Sequence, residues 1–260
     1  MPRAETVPVW AELSSLPKWL RRARDAASTA DSRNAVAAEW LLDNDYHVQR
    51  AILQIGEDLP PSFYQRLPGI AGEQARGAPR VYMLAHSLLR ASHLQIALGS
   101  AVEFIDRYQD EEPLSIAELW AFPTMLRLAC LELLIAGFAR LFKDVPPPFE
   151  IHPEGQLSAG ADDTECVSRA IANLAVISSI PWKMFFDRVS RVEAILRRDP
   201  AAVYARMDFD TRDRYRHAVE QLAAHSGLSE WDVAERLLSQ CYTQGDLPTG
   251  HIGYWLVGAG

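Results

Sequence analysis

The chain has 260 residues, 48% hydrophobic and 23% charged, a composition that argues against disorder and allows one large domain or two small ones. Its formal net charge of −8 disfavours nucleic acid as a main partner, because phosphate binding needs a clustered positive surface. Cys130, Cys166 and Cys241 are odd in number, widely spaced and without a C-x-x-C pair. A disulfide framework or a zinc site is therefore not expected, and a reducing compartment is.

The N-terminus has no uninterrupted apolar run, so no signal peptide is expected. Apolar spacing predicts a first helix over 10–27, with Pro17 as an interruption. It carries Lys18, Arg21, Arg22 and Arg24. That cluster reads either as a contact for an anionic membrane surface or as a solvated helix face, the commoner meaning of a charge run. A second helix over 34–55 places Ala37, Trp40, Leu41, Val48, Ala51, Ile52 and Ile55 on one face, with Glu39, Asp43, Arg50 and Gln54 opposite. Asn44 falls inside the apolar stripe. It is expected to be buried and hydrogen-bonded, since an unpaired amide there costs about 1–3 kcal/mol; a binding role is the alternative.

Residues 59–77 contain prolines and glycines and predict a loop with at most one short turn of helix. Helices resume over 79–98 and 100–110. Ser115-Ile-Ala-Glu118 fits a capping box, and Pro123 should kink the helix it opens. The stretch 125–142 is apolar on all sides but for Arg127, Glu132 and Arg140. Those charges make it a core helix rather than a membrane span, and Arg127 and Glu132 then need partners.

Pro146-Pro147-Pro148 opens a break lasting to about 162. It divides the expected architecture into an N-terminal helical lobe (1–145), a linker (146–162) and a C-terminal helical lobe (163–260). The C-terminal lobe should begin with a helix over 163–178. Pro181 then suits the first turn of a helix with the stripe Phe185, Val189, Val192 and Leu196. Asp199-Pro200 starts a short helix, Gly227 ends the next, and Ser229-x-x-Asp232 caps another. The tail 251–260 is apolar. The predicted fold is all-α, a multi-helix bundle of two lobes with no sheet.

Nucleotide and catalytic motifs are missing. There is no G-x-x-x-x-G-K-[ST], no G-x-G-x-x-G, no H-E-x-x-H and no G-x-S-x-G. Gly69, Gly72 and Gly77 are too irregularly spaced for a phosphate loop. His86 and His93 lie seven apart but lack a third metal ligand in register. The seven tryptophans are scattered among helices, which favours core packing over sugar stacking.

One dense run stands out, YARMDFDTRDRYRH over 204–217. Asp208-Phe-Asp210 is a D-x-D pair, of the kind that holds the divalent ion of a sugar nucleotide. Here it precedes a helix. Asp210 suits the N-cap with Asp213 at the third helical position, and Asp210 and Arg214 form an i, i+4 pair. Tyr215, Ala218, Val219 and Leu222 form the buried stripe. Arg212 lies beside Tyr215 and is expected to be partly buried, with Asp208 as its partner. Arg216 should lie nearer solvent. Structural roles account for the run better than metal binding does.

The stretch 182–220, WKMFFDRVSRVEAILRRDPAAVYARMDFDTRDRYRHAVE, closely resembles a signature of the cyclic β-1,2-glucan synthases. EWLLDN (39–44), DLP with FYQRLP (58–68), LSIAELWAFPTMLRL (114–128) and the tail GHIGYW (250–255) agree in the same order. The resemblance covers most of 35–256. It implies the helical N-terminal region of a large inner-membrane enzyme, facing the cytoplasm and preceding the membrane segments. In that family an inverting UDP-glucose glycosyltransferase domain follows, then domains that cyclise and trim the glucan. The catalytic D-x-D belongs to the transferase domain and does not carry onto Asp208 and Asp210. The resemblance thus implies no catalytic, cofactor or metal residue here, with UDP-glucose and a divalent metal bound in another domain. It leaves Asp208, Asp210, Arg212, Asp213, Arg214, Tyr215 and Arg216 with a structural or docking role. The expected partners are the remaining domains of the synthase and, through Lys18, Arg21, Arg22 and Arg24, a membrane surface. The expected function is a non-catalytic scaffold or regulator, with a carbohydrate-binding module for the growing glucan as the alternative.

Overall fold

The computed structural model describes residues 13–69, 78–151, 162–244 and 250–256. Four sequence features lie partly or wholly outside them: the start of the first predicted helix, Gly72 and Gly77, most of the 146–162 break and the last residues of the tail. The fold is all-α, as predicted. Among the described residues no strand forms, and one isolated bridge pairs Gly69 with Pro79.

Twelve α-helices are described: α1 (Leu16–Ser28), α2 (Ala35–Asp58), α3 (Pro61–Tyr64), α4 (Arg80–Ala91), α5 (Leu98–Gln109), α6 (Ile116–Leu141), α7 (Asp163–Ser179), α8 (Trp182–Val189), α9 (Arg191–Leu196), α10 (Phe209–Ser226), α11 (Glu230–Gln244) and α12 (Ile252–Leu256). A 3-10 turn over Tyr204–Arg206 precedes α10. The chain divides into two compact units, Met1–Ala101 with Ala121–Ile180, and Val102–Trp120 with Pro181–Gly260. This division does not follow the proline run. Helix α7, beyond the proline run, belongs to the first unit, because it lays Val167, Ala170, Ile171, Leu174 and Ile177 into its core and packs on α2.

In the first unit α1 buries Leu16, Trp19, Leu20, Ala23 and Ala27 and leaves Lys18, Arg21, Arg22 and Arg24 exposed. Arg24 pairs with Asp45 at 2.9 Å, and Arg22 donates to the Asp144 carbonyl at 3.1 Å. Helix α2 departs from the ideal wheel at Asn44 (φ −127°, ψ 15°), whose amide donates to the Trp40 carbonyl at 3.0 Å. Asn44 is thus half-exposed at a kink rather than buried in the stripe, and Trp40 is 38% exposed rather than packed. The rotation at the kink breaks the single wheel that the sequence implies.

Helix α6 runs through Pro123 and, from Ala121, is buried almost throughout. Among the described residues it is the helix long and apolar enough to cross a membrane, but its burial marks it as the core of the first unit. Its two deep charges have the partners the sequence demands. Glu132 Oε2 accepts the Tyr82 hydroxyl at 2.7 Å and lies 2.7 Å from His86 Nε2. Arg127 lies 3.6 Å from Asp58, and its Nη1 donates to Thr124 at 3.4 Å. Helix α4 ends at Ala91, earlier than predicted, in a turn where His93 and Leu94 have φ of 50° and 58°. That costly backbone is held by α7: Asn173 donates to the Leu94 carbonyl and accepts from Ile96 N–H, and Arg169 donates to the His93 carbonyl.

In the second unit short helices pack in sequence, α8 on α9, α9 on α11, and α10, α11 and α12 on one another. The capping box forms as predicted. Glu118 N–H donates to Ser115 Oγ at 3.3 Å, and Ser115 N–H donates to Glu118 Oε2 at 2.9 Å. Ser229 Oγ caps α11 by accepting from Asp232 N–H at 3.1 Å. Gly227, at φ 70°, closes α10 in the left-handed conformation that only glycine adopts without strain. The single helix predicted over Phe185–Leu196 is instead two. Ser190 (ψ 116°) ends α8 and caps α9, its Oγ accepting from Glu193 N–H at 3.2 Å. The stripe Phe185, Val189, Val192 and Leu196 stays buried across the break. No short helix starts at Asp199-Pro200; Asp199 instead accepts from Val203 N–H at 3.2 Å and Tyr204 N–H at 3.3 Å.

Candidate functional site

The run over 204–217 converges with α8 and α9 on one carboxylate. Glu193 has no exposed side-chain surface. Its Oε2 accepts the Tyr204 hydroxyl at 2.6 Å and Arg216 Nη1 at 2.7 Å. Its Oε1 accepts Arg197 Nε at 2.8 Å and also Arg212 Nη1. Asp187 takes Arg212 in a two-pronged pair, Nη1 to Oδ1 at 3.2 Å and Nη2 to Oδ2 at 2.7 Å, and accepts Arg197 Nη2 at 3.3 Å. Asp213 accepts Arg216 Nη2 at 3.1 Å and Nε at 3.3 Å. Three guanidiniums therefore meet three carboxylates, and the charges balance locally.

Aromatic rings flank the ions. The Arg216 guanidinium lies 4.4 Å from the Phe209 ring centre and 4.8 Å from that of Phe186, close enough for a cation–π contact with each ring. Trp120 stacks on Phe186 at 4.9 Å. The Glu193–Arg216 pair, with no exposed side-chain surface, lies in a lowered dielectric that strengthens it, while Arg197 and Asp213 at the edge stay 39% and 44% exposed.

The protonation states follow from this arrangement. Burial pushes the Glu193 carboxyl up, but the Tyr204 and Arg216 hydrogen bonds and the charges of Arg216 and Arg212 outweigh it, and its pKa lies below the ordinary value. Burial and then the Glu193 charge raise the Tyr204 phenol. Burial lowers Arg212, but Asp187 and Glu193 more than compensate, and its pKa is raised. The network thus holds fixed ions and a neutral phenol. The shifts of Glu193, Tyr204 and Arg212 all run away from neutral pH, which suits none of the three to proton exchange there.

The seven residues singled out from the sequence fall in different places. Asp208, not Asp210, is the N-cap of α10: its Oδ1 accepts Thr211 N–H at 2.8 Å and its Oδ2 the Thr211 hydroxyl at 2.7 Å. These bonds hold its pKa below the ordinary value. Asp210 sits two residues further on, 80% exposed, and pairs with Lys183 at 2.7 Å rather than with Arg214, which is itself exposed. The two aspartates of the D-x-D are thus occupied separately, one by its own helix and one by α8. Among the described residues no group of three or more His, Cys, Asp or Glu is arranged to hold a metal. Arg212 is buried as predicted, but its partners are Asp187 and Glu193 rather than Asp208. Arg216, expected nearer solvent, is the more deeply buried of the two. Tyr215 is buried, with ring centres 5.7 Å from Tyr204 and 6.3 Å from His251.

Asp187, Glu193, Arg197 and Tyr204 were not singled out from the sequence. The available signal was the excess of arginine over 188–216, since buried guanidiniums require carboxylates close by. Elsewhere His86 binds Glu132, and His93 contributes its backbone carbonyl to Arg169, so the two histidines do not share a site. Cys130, Cys166 and Cys241 are buried free thiols, and burial raises the pKa of each.

Over 82% of its length the chain is 29% identical to the cyclic β-(1,2)-glucan synthase NdvB of Rhizobium meliloti (strain 1021). It spans 10% of the length of that relative. No family model matches the chain. The alignment supports a relation between this chain and the cyclic β-1,2-glucan synthases.

Proposed function

We propose that the chain is a non-catalytic helical scaffold of a cyclic β-1,2-glucan synthase, placed at the cytoplasmic face of a membrane. It would hold or regulate the transferase by packing against its other domains. UDP-glucose and the divalent ion would bind in those domains and not here. One observation carries the reading. In the stretch most like that family, Glu193, Arg212 and Arg216 are buried against one another and Asp208 is committed to its helix. Each oxygen of Glu193 already accepts two hydrogen bonds, and although Arg212 Nε has no partner among the described residues it is itself buried, so little of the cluster is open to a substrate. The exposed face of α1 offers a weaker membrane contact than its sequence suggests. Arg22 and Arg24 are engaged within the fold, which leaves Lys18 and Arg21 at roughly 1 kcal/mol each for an anionic surface.

The test has two arms. The purified chain, given UDP-glucose with and without manganese, should release no UDP and form no glucan. Turnover that is lost in a folded Asp208→Ala variant would overturn the non-catalytic reading. Mixed with the remaining domains of the synthase, the chain should co-purify with them, and a failure to associate would remove the scaffold role.

The second reading is a module that holds the glucan. It is favoured by an exposed aromatic pair on α12, Tyr254 and Trp255, with ring centres 5.3 Å apart and exposures of 47% and 39%. Saturable binding of a linear β-1,2-glucan, abolished by Trp255→Ala, would select it.

A further inference from the structure

The tail GHIGYW has no part in the ion network itself, yet its anchor is as specific. Asp199 has no exposed side-chain surface and sits between two segments. Its Oδ2 accepts Val203 and Tyr204 N–H and lies 2.9 Å from His251 Nδ1, while its Oδ1 accepts Ile252 N–H at 3.3 Å. The tail therefore docks on the same carboxylate that shapes the turn carrying Tyr204. Ile252 is fully buried. Gly253 passes so close that a Cβ there would lie 2.5 Å from His251 Nε2 and 2.6 Å from the Tyr215 hydroxyl. No side chain fits at 253 while His251 and Tyr215 hold these positions, so the docked state depends on glycine.

We infer that residues 250–256 form a clasp whose docking on Asp199 sets the position of Tyr204 and so couples the tail to the buried Glu193 network. The coupling is direct. Asp199 fixes the backbone of Tyr204, and the Tyr204 hydroxyl donates to Glu193. Releasing His251 and Ile252 from Asp199 removes two of the hydrogen bonds to its buried oxygens. The remaining turn must then accommodate a buried, under-solvated carboxylate. By linkage, loosening the network must likewise weaken the clasp.

Amide hydrogen exchange on the whole chain tests this. His251→Ala and Gly253→Ala should each raise exchange across 250–256 and also at Val203 and Tyr204, by at least about tenfold, while α2 in the other unit stays unchanged. His251→Asn keeps a donor near the Nδ1 position and should restore most of the protection at 203–204. Faster exchange in the tail with Val203 and Tyr204 still protected would overturn the coupling. So would a tail that already exchanges freely in the unaltered chain. If Gly253→Ala exposes α2 as well, global unfolding is the cause, and the His251→Asn and His251→Ala pair decides: equal protection at 203–204 in both overturns the proposal.

Discussion

The two units deal with buried charge in opposite ways. In the first, long helices bury enough apolar surface to define themselves. Its deep ions occur as separate small groups, Glu132 with Tyr82 and His86, and Arg127 with Asp58 and Thr124. In the second, α8 and α9 and the Tyr204–Arg206 turn have 8, 6 and 3 residues, too short to be stable alone. What joins them is Glu193 with its four donors, two of which, Arg197 and Arg212, also bind Asp187 of α8. A polar hub fixes register where apolar packing alone tolerates slippage, at the cost that every member depends on the others. The comparison predicts concentrated sensitivity in the second unit and dispersed sensitivity in the first.

The largest effects should come from the hub. Removing one partner of a buried pair strands the other charge and costs about 3–5 kcal/mol. Arg216→Ala takes one of four donors from the buried Glu193 together with the partner of Asp213, and Arg212→Ala takes a donor from Glu193 and the two-pronged partner of Asp187, so both should lower the urea midpoint strongly, toward the lower end of that range. Arg216→Ala should cost at least as much, since that side chain is wholly buried against Phe186 and Phe209. The exposed Arg214→Ala should stay within about 0.5 kcal/mol of the parent. Small and equal effects from Arg212 and Arg216 would show that the network contributes little and that the contrast between the units is false.

The next effect is a pH dependence confined to the second unit. Glu230 is buried at the start of α11 and accepts Ile116 N–H at 2.7 Å. Burial, with the Glu220 and Glu118 charges, raises its pKa from 4.5 to about 7, against the lowering effect of that hydrogen bond. A carboxyl with a raised pKa binds its proton more tightly when folded. Its folded form is therefore favoured at low pH, and that advantage is lost as pH rises from about 4.5 through about 7. The change is on the order of 3 kcal/mol. The urea midpoint should be higher at pH 5 than at pH 8, and Glu230→Gln should flatten that slope. A midpoint that rises over this interval in the parent and is unaffected by Glu230→Gln would refute the assignment. Further into acid, protonation of the depressed Glu193 carboxylate destabilises the fold in the opposite sense.

In the first unit the matching change is milder. Glu132→Gln keeps an acceptor for the Tyr82 hydroxyl but removes the charge facing His86. The expected loss is about 1–3 kcal/mol, the cost of one poorly satisfied buried group. A loss as large as that of Arg216→Ala would mean the first unit also depends on a hub.

What the sequence disclosed follows the range of each interaction. The Ser115 and Ser229 caps, the Gly227 terminus and the need of Arg127 and Glu132 for partners were legible, because three- or four-residue spacing or simple burial decides them. The all-α class followed from apolar period. The hub was not legible. Asp187 and Glu193 lie 25 and 19 residues before Arg212, and a helical wheel ranks residues against one face only. Arg216 sits off the Tyr215 stripe, yet it is buried because α8 and Phe209 cover that side as well. The break at Ser190 was hidden for a similar reason: the apolar stripe continues across it, while the serine that caps α9 changes the helix direction. The packing of α7 into the first unit is not readable from the Pro146–Pro148 run, since prolines mark where helices stop and not which unit the next helix packs against.

The smallest effect separates the two aspartates of the D-x-D. As a metal-binding pair they should act together: Asp208→Ala and Asp210→Ala would each abolish manganese binding and leave the fold alike. The structure separates them. Asp208 ties the first turn of α10 through both the amide and the hydroxyl of Thr211, so its loss leaves an orphan donor at a helix end. Asp210 holds only Lys183, in a surface pair that is 61% and 80% exposed, where solvent screening removes most of the attraction. Asp208→Ala should therefore lower the urea midpoint by a small, reproducible amount, and Asp208→Asn, which keeps an acceptor at the cap, should recover most of it. Asp210→Ala should leave the midpoint where it is. Calorimetric titration with manganese should give the same flat response for the parent chain and both variants. Saturable manganese binding that either substitution removes would show that the pair can reach a common ion, and the capping role would then be secondary.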